Sequence, residues 1–192
     1  MKNNFSTSLR GFAAITHGLS ALVSGLALLK IFGGVLLIYA AAHISIPIQP
    51  VPVTLQTLAV LLLALTYGRW ESLASIITYV GAGMMGAPIF AGGKFGAMVL
   101  LSPTGGYIIG FVVAVFLVGL IKEKWQCKKF LPLLFASLSG LVAIFTFGMM
   151  WLFYLFGFDK AIAVGLVPFI LPELVKAFLL AGALFAVGFF KK

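Results

Sequence analysis

Long apolar runs broken by short polar or glycine- and proline-rich segments set the pattern of this chain, and each run is long enough to be read as a helix. The runs predict helices over about Leu19–Ile44, Val53–Tyr67, Ser72–Met85, Pro103–Ile121, Phe130–Phe156 and Ile170–Phe190. The second, at ~22 Å of helix, is short for a bilayer and needs the extended residues before it to reach the surface. Three connections have no helical character. Ile44-Ser-Ile-Pro-Ile-Gln-Pro-Val-Pro-Val-Thr-Leu-Gln56 contains Pro47, Pro50 and Pro52, each of which fixes φ, removes a donor and pushes the preceding residue to extended backbone. Gly86–Gly96 is a glycine-rich loop. Gly157–Phe169 is a connection with room for a short helix after Asp159. Residues 1–18 mix polar and apolar positions without the apolar core and cleavage site of a signal peptide, and are expected to form a tail or interfacial helix ahead of a membrane domain over 19–192.

Composition fixes the class. Of 192 residues, 62% are hydrophobic and 9% charged, against roughly 25% charged in a soluble domain. The expectation is an all-α integral membrane protein of six transmembrane helices. The net charge of +9 is then read as topology, not nucleic-acid affinity. With both termini cytoplasmic, Lys2, Arg10, Arg69, Lys122, Lys124, Lys128, Lys129, Lys191 and Lys192 lie inside, and only Lys94 and Lys160 outside. Lys30 and Lys176 fall within spans, Lys30 as a structural or partner-facing group. The bias of nine against two places all three irregular connections on the extracytoplasmic face.

Beneath that face lie two intramembrane charges, Glu173 and Lys176, on one side of the last helix by their i,i+3 spacing. Unpaired, they cost roughly 5–7 kcal/mol on the insertion scale, so a protein-lined site is the functional reading and a structural ion pair the plain one. One cysteine, Cys127, and two histidines exclude an internal disulfide and leave no metal cluster. No Gly-x-x-x-x-Gly-Lys-Ser/Thr phosphate loop, Gly-x-Ser-x-Gly or His-Glu-x-x-His occurs, so a binder of a small polar-headed ligand fits better than an enzyme.

Four segments then carry a resemblance: Pro50-Val-Pro-Val-Thr-Leu-Gln-Thr-Leu-Ala-Val60, Gly86-Ala-Pro-Ile-Phe-Ala-Gly-Gly93, Ser102-Pro-Thr-Gly-Gly-Tyr-Ile-Ile-Gly-Phe111 and Val167-Pro-Phe-Ile-Leu-Pro-Glu-Leu-Val-Lys-Ala177. In this order and spacing, over about residues 35–190, they resemble the BioY family, the biotin-specific substrate-binding (S) components of energy-coupling-factor (ECF) transporters. The resemblance implies a ligand cavity opening outward and biotin uptake across a bacterial cell membrane, with no cofactor of its own. Its implied partners are a transmembrane coupling subunit and two cytoplasmic ATPases that use the ATP. With biotin as the implied ligand, its own groups point to site residues. Glu173 accepts the ureido N–H groups of biotin and Lys176 donates to the ureido carbonyl, with Gln56 and Tyr107 as further polar candidates. Phe90, Tyr79 and Val53 form apolar walls, and Lys94 holds the carboxylate or is a solvated loop lysine. Ala21-x-x-x-Gly25, with Gly33 and Gly34, is the candidate association surface. The chain departs from the family pattern in Leu171-Pro172-Glu173, where Pro-Gly-Asp is common, in Lys94, and in Ile108 after Gly-Gly-Tyr. The alternatives are an S component for another vitamin, an intramembrane enzyme using Glu173 and Lys176 as acid and base, and a structural subunit without a ligand.

Overall fold

The computed structural model describes residues 25–125, 127 and 129–188. Its elements in order are α1 (Gly25–His43), β1 (Ser45–Ile46), β2 (Val53–Thr54), α2 (Gln56–Thr66), α3 (Arg69–Met84), a 3-10 turn (Ala91–Gly93), α4 (Met98–Leu101), α5 (Gly105–Trp125), α6 (Phe130–Phe156), α7 (Phe158–Gly165) and α8 (Val167–Ala186). Among the described residues four helices, α1, α5, α6 and α8, are long and apolar enough to cross a membrane, which makes this a multi-pass membrane protein. Their outward faces are apolar, as a lipid-facing surface must be. Leu29 and Phe32 of α1 and Leu171 and Leu179 of α8 are more than half exposed.

Helix α2 has a different role. Eight of its eleven residues are buried, so it is a core helix surrounded by the others and not a lipid-facing one. Its start is set by the prolines. The segment Ile44–Gln56 folds back as a two-stranded antiparallel hairpin, Ser45 opposite Thr54 and Ile46 opposite Val53, with Pro47, Pro50 and Pro52 kept out of the strands. Helical geometry therefore begins at Gln56, not at Val53. At the other end Lys122 of α5 donates to the carbonyls of Thr66 (3.2 Å) and Tyr67 (2.8 Å), satisfying acceptors that the end of a helix leaves open. The same end holds two ion pairs, Lys30–Glu71 (3.4 Å) between α1 and α3 and Arg69–Glu123 (3.5 Å) between α3 and α5. Lys30 is thus paired within the chain.

Close helix approach depends on glycine. A Cβ on Gly110 of α5 would lie 2.8 Å from the backbone of Ile144 in α6. One on Gly34 of α1 would lie 2.5 Å from Ser75 Oγ in α3. Gly34 is therefore buried against α3 and is not on the outer face where the sequence placed a partner surface. Gly25 is exposed at the start of α1 and Gly33 is half-buried, facing the Tyr67 hydroxyl; Ala21 lies outside the described residues. Gly157, at φ +78°, makes the turn from α6 into α7, which begins at Phe158, one residue ahead of Asp159.

Candidate functional site

The hairpin, the glycine-rich loop and the starts of α2, α5 and α8 meet around one cavity of about 50 Å³. The hairpin supplies Val51, Pro52 and Thr54, and α2 supplies Gln56 and Thr57. The loop supplies Phe90, Ala91 and Lys94; α5 supplies Tyr107, Ile108 and Phe111; Phe145, Phe169 and Glu173 come from α6 and α8. Mostly apolar walls with a few converging polar groups are the lining of a small-molecule site; at this volume, far below the roughly 300–1,000 Å³ usual for such sites, the walls must part to admit a ligand larger than a few atoms.

The polar centre is Glu173, which is 3% exposed. Its Oε1 accepts from Lys176 Nζ at 2.6 Å. Its Oε2 is buried and meets no donor among the described residues. A carboxylate in that position retains an unused acceptor, on a residue that lines the cavity. Lys176 is not a cavity wall. Its three hydrogens go to Glu173 Oε1, to Thr54 O at 2.6 Å and to Thr57 Oγ1 at 3.2 Å, so it joins α8 to the hairpin and to α2. Pro172, just before Glu173, removes one hydrogen bond from this turn of α8.

Gln56 lines the cavity and is held on two sides, donating from Nε2 to the Tyr79 hydroxyl (2.9 Å) and accepting at Oε1 from Thr54 Oγ1 (3.3 Å). Tyr79 lies behind Gln56 and is not itself a wall. Val53 is buried in β2 away from the cavity, and Val51, in the bend before it, is the valine that lines it. The ring of Tyr107 is a wall, stacked near Phe169 at 6.1 Å, but its hydroxyl is committed to Gly165 O at 2.8 Å. Phe90 is a wall, 2% exposed, seated against Gly83, where any Cβ would collide with its ring. Lys94 is exposed, lines the cavity mouth, and has no acidic partner among the described residues. It also borders a shallow outer depression with Phe95, Met98 and Ser102.

Thr57, Thr104, Phe145 and Phe169 were not singled out by sequence. Thr57 and Thr104 sit within motifs already noted, so their proximity to Gln56 and Tyr107 was a usable signal. Phe169 likewise sits in a noted motif, four residues before Glu173, whereas Phe145 carried no signal, being one of 19 phenylalanines.

Comparison with known proteins agrees with the motifs. The sequence profile of the BioY family matches residues 11–189. The chain is 43% identical over 152 residues to "Biotin transporter BioY" of Thermotoga maritima, covering 79% of this chain and 88% of that one. It is 44% identical over 136 residues to "Probable biotin transporter BioY" of Pyrococcus horikoshii, covering 71% and 80%. Among solved structures, the S-component for biotin from an ECF-type ABC transporter superposes with a TM-score of 0.77 at 23% identity, over 84% of this chain and 89% of that one, which shows a shared fold. On the profile match and the identity to these relatives, the chain belongs to the BioY family.

Proposed function

We propose that the protein is the biotin-binding S component of an ECF-type uptake system. It captures the vitamin from outside the cell membrane and works with a transmembrane coupling subunit and two cytoplasmic ATPases. The observation that carries the reading is the buried Glu173 Oε2, an acceptor with no donor among the described residues, on a side chain that lines an apolar cavity. The ureido ring of biotin brings two N–H donors to such an acceptor, and its thioether ring and valeryl chain suit walls such as Phe90, Phe111, Phe145 and Tyr107. Lys176 orients the carboxylate through its 2.6 Å bond to Oε1. Its longest bond, to Thr57, is the one that a ligand carbonyl exchanges for. Lys94, at the mouth, meets the ligand's carboxylate.

In this arrangement six helices cross the membrane, both termini are cytoplasmic and the cavity opens to the extracytoplasmic side. The basic-residue bias of nine against two supports that orientation. Two crossings are short: α2, 11 residues, is completed by the hairpin, and α3 has 16 residues. The exposed side of α1, which starts at Gly25, is the surface for the coupling subunit, with Gly33 at its half-buried edge. Calorimetric titration of the purified protein with biotin, and with thiamine and riboflavin as controls, tests the reading. Saturable binding of biotin alone is expected. Binding of a different vitamin overturns the substrate, and binding of none overturns the role.

A further inference from the structure

Tyr79 is among the largest fully buried side chains, carries a hydroxyl, and does not line the cavity. A buried phenol needs partners for its oxygen, and here there are two. Oη donates to Ile89 O at 2.8 Å and accepts from Gln56 Nε2 at 2.9 Å. The order is forced. The Ile89 carbonyl has no hydrogen to give, so the single phenolic proton is committed to it. Only a lone pair then faces Gln56, and only the NH2 end of the amide can meet a lone pair. Thr54 holds the other end: its Oγ1 accepts the Gln56 backbone N–H at 3.2 Å and donates to Oε1 at 3.3 Å. Gln56 thus has one fixed orientation out of two that are nearly the same in shape.

We propose that Tyr79 is a positioning residue for ligand selectivity. Through the Ile89 carbonyl it fixes which end of the Gln56 amide donates and which accepts, and it ties that choice to the glycine-rich loop. The loop side of the link is short. Phe90 follows Ile89, meets the Tyr79 ring edge-on at 5.5 Å, and lines the cavity. A ureido group presents a carbonyl acceptor between two N–H donors. An amide of fixed polarity discriminates that pattern from its inverse, and an amide free to flip does not. The inference rests on the reading of the cavity as the biotin site and adds a residue that touches no ligand.

Tyr79→Phe keeps the ring and releases the amide. The purified protein is titrated with biotin and with 2-iminobiotin, in which a donor replaces the carbonyl acceptor. Tyr79→Phe is expected to weaken biotin about tenfold, the scale of one buried hydrogen bond, and to shrink the biotin-to-iminobiotin affinity ratio by a similar factor. In a Gln56→Met background it adds nothing, because it acts through Gln56. Equal losses for both ligands, or a loss that adds in full to Gln56→Met, overturns the proposal while leaving the biotin site standing. If Tyr79→Phe does not fold, Gln56→Met, which leaves the Tyr79–Ile89 bond intact, must still compress the ratio; an unchanged ratio overturns it. A wild-type protein that binds no biotin overturns the reading beneath it.

Discussion

Glu173→Gln is the sharpest test of the site, because Lys176 dictates how the new amide must sit. The ammonium 2.6 Å from Oε1 accepts no hydrogen, so the amide oxygen has to take that place and the NH2 group has to take the place of Oε2. The substitution therefore replaces the free Oε2 acceptor with a donor, at nearly constant shape. Two losses follow when a ureido N–H approaches. One is a charge-assisted hydrogen bond, about 1.5–3 kcal/mol. The other is a buried donor left facing a donor, about 1–3 kcal/mol. Their sum at the low end is near 2.5 kcal/mol, more than fiftyfold at 1.4 kcal/mol per tenfold. At least a tenfold loss of biotin affinity is expected by calorimetry, with thermal unfolding verifying the fold. Desthiobiotin, which keeps the ureido ring and lacks sulfur, should lose the same factor. A folded Glu173→Gln protein that binds biotin normally would make the pair with Lys176 structural and leave the ureido group to Gln56.

Lys94→Ala should weaken biotin roughly two- to fivefold, the scale for an exposed charge, and barely affect a carboxylate-blocked biotin amide; equal losses for both ligands remove its role as the carboxylate partner. Gly83→Ala sets helix propensity, which favours alanine by up to about 1 kcal/mol, against the collision with Phe90 at about 1–3 kcal/mol. A lower thermal midpoint and weaker biotin binding are expected, and a higher midpoint would show that Phe90 yields. For topology, Lys124→Cys in a Cys127→Ser background should resist an impermeant thiol reagent in intact cells, whereas Lys160→Cys should label; the reverse would invert the orientation. Cys127 itself is a silent reporter, because it is buried and burial pushes its thiol up, away from the reactive thiolate.

Where the sequence spoke through backbone chemistry, it spoke accurately. Prolines at 47, 50 and 52 forbid helix, and a hairpin stands there; the glycine-rich stretch after Met85 contains Gly86, Gly92, Gly93 and Gly96, all at positive φ. What it conveyed poorly was which way a side chain points. In a membrane helix both faces are apolar, so the periodic contrast that betrays the inner face of a soluble helix is weak, and nothing distinguished Phe145 from its exposed neighbours. The i,i+3 spacing of Glu173 and Lys176 announced their bond to each other. It did not announce that Lys176 also donates to a carbonyl 122 positions earlier, at Thr54. That distant bond changes the chemistry of the pair. With its hydrogens shared among Glu173, Thr54 and Thr57, Lys176 acts chiefly as the clamp that fixes the carboxylate beneath the hairpin. On the proposed reading, the group offered to a ligand is then the free oxygen of Glu173. On that reading, ligand affinity and the placement of the hairpin over the cavity depend on the same ammonium group.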